Sequence, residues 1–303
     1  IEPVLPSSTT SKIVFIPEDF LTAIAFETLI DKKGKLCIEK HQSSYAYSLK
    51  LWEILKDKKD TDGDNQFVSF APNYPKIPTA SQVRGLRRAD LFDLAEAKKE
   101  AKKISDLLDG KLYLNEEANR TNFLQATTNF SLHHLAMHSV LEEDYTKSSL
   151  VFSGNQKVFF DELYQLNFPS DLVVLSACNT GIGALEGGEG MMSLSRALTY
   201  SGVKSSVYSL WQVPDKETSE IMIAFYQNLK EGQSKDEALA NAKRDFIQNN
   251  PMKNHPFYWA GFVVNGDVSP IQESTNWWLF VGIGLAIGLL IFFFRKKLFQ
   301  FGQ

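Results

Sequence analysis

Cysteine is scarce in this chain. Only Cys37 and Cys178 occur among 303 residues, and the runs that carry them show no sign of pairing, so a disulfide scaffold is excluded. Basic charge is not in excess either. The 32 Lys and Arg face 36 Asp and Glu, for a net charge of −4, which argues against a nucleic-acid-binding face. Internal repeats and low-complexity segments are missing. The glycine-rich stretch GALEGGEG, residues 183–190, lacks the Lys-Ser/Thr of a phosphate loop and reads as a mobile active-site loop. Asp60, Asp62 and Asp64 open like a calcium loop, but its sixth position is Asn65 rather than Gly and its twelfth is Ala71 rather than Glu. That segment reads as a solvated loop. An initiating methionine is also missing. The chain is therefore expected to be the C-terminal piece of a longer protein, with residues 1–11 a linker from an upstream region.

What is present is enough chain for one large domain or two small ones with a sizeable core. Two stretches stand out. In LVVLSACNTG, residues 172–181, an apolar run from Leu172 to Leu175 stops at Cys178 and breaks into Asn179, Thr180 and Gly181. It reads as a buried parallel strand presenting a thiol at its C-terminal end. In LHHLAMHS, residues 132–139, a second apolar-alternating run delivers His138 at its own end. Chemistry in open α/β sheets sits outside the carboxyl ends of the strands. A Cys and a His at two such ends are placed as nucleophile and base. His134 and His138 fall on one strand face in this reading, and His134 is expected to be a hydrogen-bonded core residue. His133 faces away and no second Cys is near, so no metal site is expected. Cys37, in KLCIEKH (35–41), is read as a packing residue within a strand.

Strands and helices alternate elsewhere. Strands are predicted at 11–17, 35–41, 66–72, 148–154, 204–213 and 257–266. Helices are predicted over 46–55, over 94–108 with Gly110 as its stop, and from an Asn119 cap through Phe123 and Leu124. Three more follow over 190–202, over 216–231, and after a Ser234–Glu237 capping box. Residues 57–65 read as a charged loop and 76–92 as a long surface loop. The alternation argues for an α/β fold with a mainly parallel sheet covered by helices on both faces.

The C-terminus reads as a membrane anchor. Residues 277–294, WWLFVGIGLAIGLLIFFF, carry no charge and no Pro. As a helix they span roughly 27 Å, close to the hydrocarbon thickness. Trp277 and Trp278 suit one interface, and Arg295, Lys296 and Lys297 begin a short basic tail, 295–303. The basic cluster follows the span. The positive-inside rule then puts the tail in the cytoplasm and the large domain outside it, on the periplasmic side. Residues 268–276 are the intervening linker.

The residues now carry a resemblance. HLAMHS (134–139) resembles the H-x-A-T-H-G strand of CHAT domains, the caspase-like modules often found behind tetratricopeptide repeats. LSACNTG (175–181) resembles the family's Cys strand. EGGEGMMSLSRALTYSGVKSSVYSLWQVPDKET and HPFYWAGFVVNGD (255–267) resemble its later signature runs. The likeness covers residues 12–267. Met137 and Ser139 stand where the family has Thr and Gly.

The resemblance implies the fold of caspases, separases and related cysteine peptidases. It implies hydrolysis of a protein or peptide substrate by a Cys–His dyad, with Cys178 as nucleophile and His138 as general acid/base. The backbone N–H groups of Cys178 and Ser139 would hold the oxyanion. Were position 139 to need a positive φ, Ser would carry a conformational cost there. The family's pocket wall corresponds to residues 209–215, which include Trp211 and Asp215. Asp215, with Glu186 and Glu189, would make an acidic pocket floor favouring Arg or Lys. Asp215 also stands where an N-cap of the next helix belongs. An upstream repeat domain in the same chain is the implied regulator, and no cofactor is implied. Two other readings use the same residues: a catalytically silent module that transmits binding at the membrane, and a structural domain with an incidental Cys.

Overall fold

The computed structural model describes residues 11–58, 67–74, 93–142, 147–176 and 187–271. The expected loops at 57–65 and 76–92 fall largely or wholly outside these residues, as do Cys178 and the span 277–294. Among the described residues no helix is long and apolar enough to cross a membrane.

Eleven strands are described. They are β1 (Ser11–Phe15), β2 (His41–Tyr45), β3 (Phe67–Pro72), β4 (Lys111–Asn115), β5 (Leu132–Leu135) and β6 (Ser139–Val140). The rest are β7 (Ser149–Phe152), β8 (Gln156–Phe159), β9 (Leu172–Leu175), β10 (Ser205–Ser209) and β11 (Phe262–Gly266). Eight of them form one sheet in the order β1-β2-β11-β10-β9-β5-β3-β4, and β6-β7-β8 form a small antiparallel sheet. Every pairing in the large sheet is parallel except β10 with β11. The block β10-β9-β5-β3-β4 therefore runs one way, and its carboxyl ends share one edge. The fold is α/β with a mostly parallel sheet, as the alternation of elements predicts.

The helices are α1 (Cys37–Lys40), α2 (Leu49–Asp57), α3 (Ala95–Leu108), α4 (Arg120–Ala126), α5 (Phe160–Gln165), α6 (Gly187–Ser201), α7 (Asp215–Lys230) and α8 (Lys235–Asn249). They cover both faces of the sheet, and β5 shows how. His134 points toward α3 and α7, where its partners Glu100 and Tyr226 lie. His133 points the other way, to the carbonyl of Ala126 at the end of α4. On that second face Ser206 of β10, level with His133 through Val173, meets Ser195 of α6 at 2.6 Å.

Local chemistry accounts for several boundaries. Ser48 caps α2 by accepting from the Leu51 N–H, and Asn119 caps α4 by accepting from the Asn122 N–H. Residues 35–40 are not a strand. Glu39 folds back to accept from the Leu36 N–H at 2.9 Å, closing the helical turn α1, so beyond a single Ile30–Leu36 bridge the sheet pairing begins at His41. Cys37 is half-buried in that turn, where burial and the Glu27 carboxylate push its thiol up to about 11. The stop of α3 is Asp109, in the left-handed region at φ 51°, rather than Gly110. Gly110 is needed for another reason: a Cβ there would lie 2.4 Å from the Phe67 ring. The Ser234 hydroxyl does not cap α8. It donates to Asp236 at 2.6 Å and accepts from Lys12, so the expected capping box is not made. The glycine-rich stretch is not wholly a loop, because α6 already begins at Gly187. β5 stops at Leu135, short of the predicted end, because the chain leaves the ladder and enters the small sheet at Ser139. His134 and His138 therefore do not share a strand face.

His133 is fully buried, with Nε2 3.2 Å from the Ala126 carbonyl and Nδ1 3.1 Å from the Ser170 hydroxyl. Burial lowers its pKa from 6.5 to about 3, so the folded protein holds it neutral. The unfolded chain binds a proton below about pH 6.5 and the folded one only near 3. The stability this provides is complete above 6.5 and is lost as pH falls toward 3, by up to about 1.4 kcal/mol per pH unit. Urea unfolding at stepped pH is expected to show a steeper acid decline for the wild type than for His133→Gln. Equal slopes between pH 6.5 and 3 would refute it.

Candidate active site

The carboxyl ends of β5 and β9 carry the candidate residues. The two strands pair in parallel from Leu132↔Leu172 to Leu135↔Leu175. The Ser176 N–H extends the ladder by one bond to the Leu135 carbonyl, at 3.2 Å. Both strands thus leave the sheet at the same level. His138 lies three residues beyond the last pair on β5. Cys178 lies three residues beyond it on β9, outside the described residues.

His138 is buried in a built setting. Its N–H donates to the Tyr74 hydroxyl at 2.9 Å, and its carbonyl accepts from the Val151 N–H at 3.0 Å. The Tyr74 hydroxyl in turn donates to the Val151 carbonyl at 2.8 Å. The Tyr74 and His138 rings lie 4.6 Å apart with their planes inclined at 56°. Burial raises the Tyr74 pKa well above the usual phenol range, so the phenol keeps the proton it donates. Three segments of chain are therefore tied together at His138: the end of β3, the turn after β5, and β7. Tyr74 is not among the residues the sequence singles out. Its position two residues past the last residue of β3 was the available signal.

Ser139 follows as the first residue of β6, opposite Leu150, and is nearly inaccessible. Its backbone lies outside the left-handed region, so the serine carries no steric cost there. An oxyanion donor at this position is a backbone N–H, which Ser and Gly supply alike.

Asp215 begins α7 at the carboxyl end of β10, beside β9. It does not cap the helix: the cap position belongs to Pro214, whose side chain has no polar atom. Its carboxylate reaches the surface, but partial loss of solvent raises its pKa. Glu100 raises it further, the His138 ring opposes the rise, and Glu96 and Glu217 add to it. Asp215 and His138 are thus within electrostatic reach of each other on an acidic edge. Glu217 is nearly buried and ion-paired with Lys253. Trp211, in the connection from β10 to α7, donates its indole N–H to the Phe257 carbonyl at 3.0 Å and stands close to Gly261. Glu189 is part of α6, its side chain outside the described residues, and Glu186 lies outside them altogether.

His134 is the hydrogen-bonded core histidine that the sequence predicts. Its Nδ1 lies 3.2 Å from the Tyr226 hydroxyl, and its Nε2 lies 3.2 Å from the Ser176 hydroxyl and 3.0 Å from the Glu100 carboxylate. These three partners are not legible in the sequence, because they come from α7, the residue after β9, and α3. Among the described residues no three His, Cys, Asp or Glu side chains group to hold a metal ion.

The comparisons with known proteins bear on this architecture. Human tetratricopeptide repeat protein 28 is 30% identical over 115 residues, as is its mouse counterpart. That stretch is 38% of this chain but only 5% of the length of either relative. Separase in the 2.6 Å Saccharomyces cerevisiae separase–securin complex superposes with a TM-score of 0.51 at 13% identity, over 80% of this chain and 15% of that one. The overall fold is shared with that part of separase. The Arg-specific cysteine proteinase gingipain R gives a TM-score of 0.47 at 13% identity, over 76% of this chain and 55% of that one. The family model described as the CHAT domain matches residues 1–267, nearly all of the chain and every described element. The chain belongs to the CHAT domain family.

Proposed function

We propose that the chain is a membrane-anchored cysteine endopeptidase. The observation that carries this reading is the level exit of β5 and β9, which puts His138 and Cys178 three residues beyond one shared ladder rung. In the proposed step the Cys178 thiol gives its proton to the His138 imidazole and its sulfur bonds to the scissile carbonyl carbon. The oxyanion is held by the N–H groups of Ser139 and Cys178. Collapse breaks the C–N bond, and the imidazolium proton passes to the leaving amine. Water then hydrolyses the thioester and restores the thiol. Family membership supports the reading, and the likeness to a tetratricopeptide repeat protein supports control by a repeat region on the same polypeptide. Cys178→Ala and His138→Ala are each expected to lower peptide cleavage at least about 100-fold, and His138→Ala also to lower the melting temperature through lost packing on Tyr74. Unchanged cleavage by purified Cys178→Ala refutes the dyad.

Asp215, with Trp211 as wall and Glu189 as a further acidic residue, is proposed to favour Arg or Lys at the cleaved position. The support is the acidic edge that also reaches His138. Profiling with a peptide library is expected to show a basic preference that weakens in Asp215→Asn. A preference for acidic or apolar residues, or a basic preference unmoved by Asp215→Asn, overturns it.

The anchor is proposed for residues 277–294, with the basic tail cytoplasmic and the domain outside. Ending the chain at Glu273 is expected to release the domain from the membrane fraction, because the apolar run is then gone. Continued sedimentation with membranes would place the anchor elsewhere.

A further inference from the structure

The mechanism above uses neither of the two fully buried histidines of β5, His133 and His134. His134 and Glu100 are 0% and 1% exposed, and Ser176 is 3% exposed. Each atom of the His134 ring able to hydrogen-bond has an oxygen within 3.2 Å. Burial holds the Tyr226 phenol well above its usual pKa, so it keeps its proton beside Nδ1.

Ser176 is the informative partner. It is the first residue after β9 and stands two positions before Cys178. Its backbone is held from β5 by the Leu135 carbonyl, and its side chain is held from β5 by His134. Glu100 fixes His134 from α3 and Tyr226 fixes it from α7. One buried ring thereby connects both helices of that face to the point where the chain leaves the sheet toward the thiol.

We infer that His134 is a positioning residue, clamping the exit of β9 at Ser176, two positions before Cys178, level with the point where β5 leaves the sheet. The inference rests on the Cys–His reading for its catalytic consequence, while the clamp itself is a statement about β9. Small displacements of a reacting pair cost about 10- to 100-fold in rate.

The test uses the full chain with iodoacetamide as probe, reading alkylation of Cys178 by mass spectrometry from pH 5 to 9, together with amide hydrogen exchange across residues 172–178. His134→Gln and Ser176→Ala are expected to slow Cys178 alkylation about tenfold at neutral pH, to shift its pH profile, and to speed exchange at Leu175 and Ser176. Val264→Ala, a buried change on β11, serves as the control for general destabilisation and is expected to leave the profile in place. If His134→Gln does not fold, Ser176→Ala carries the test alone. A wild-type profile and wild-type exchange in Ser176→Ala overturn the clamp. If His138→Ala leaves the profile unchanged, the dyad fails instead, and the exchange measurement still decides the clamp.

Discussion

The parallel pairing of β5 with β9 is the constraint on which the rest depends. Four rungs, from Leu132↔Leu172 to Leu135↔Leu175, fix how far each strand reaches before it leaves the sheet. In a strand a one-residue slip moves every side chain to the opposite face. Here that slip would turn His133 into the pocket built for His134, among Glu100, Tyr226 and Ser176, and His134 toward Ala126 and Ser170. Both pockets are polar, but their partners are placed for different ring atoms. The two histidines therefore act as register marks in an otherwise apolar pair of strands. Because the register is fixed, the exits are level, and the chemistry proposed for that edge follows from it.

The opposite edge of the same block is held by charge. Lys204 pairs with Asp171 and Lys235 with Asp267, all nearly inaccessible; on the carboxyl-end side, Lys243 is buried against Glu27 and the Phe262 carbonyl, level with Ser209 at the end of β10. Burial lowers the pKa of Lys235 and Lys243, and their carboxylate partners oppose that. Such pairs add little net stability over apolar replacements, yet losing one partner costs about 3–5 kcal/mol because a buried charge is stranded. Asp171 immediately precedes β9, Lys204 immediately precedes β10, and Asp267 immediately follows β11. The Lys204–Asp171 pair therefore joins the starts of β9 and β10, whose far ends carry the candidate residues, and the Lys235–Asp267 pair holds the end of β11 beside them.

Much of this was legible in the sequence, for identifiable reasons. Long periodic segments such as α3 and α7 declared themselves, and Ile221, Met222, Phe225, Tyr226 and Leu229 recur at helical spacing on the buried face of α7. β9 was visible because a strand buried on both faces reads as a continuous apolar run. Short elements were not. β4 is a half-exposed edge strand without clean alternation, and β8 and α5 are four and six residues long, below the length at which a period can be counted. The false strand at 35–41 alternated correctly but was decided by one side-chain contact, Glu39 to Leu36. At the site, His138 was legible from its place at the end of an apolar run. Tyr74, Glu100 and Ser176 were not, because their roles depend on neighbours 64, 34 and 42 residues away.

The acidic edge shows how structural and functional reasons can occupy the same residues. Asp215 and Glu217 fall in the first turn of α7, where the helix dipole favours carboxylates. Glu217 is further committed to Lys253, Glu100 to His134, and Glu96 to Lys99. Each of these charges thus has a sufficient folding role. Asp215 differs in one respect: it is exposed, and its cap position is taken by Pro214. Its carboxylate is therefore not committed to capping the helix, and in the specificity proposed above it is the charge on this edge available to a cationic side chain.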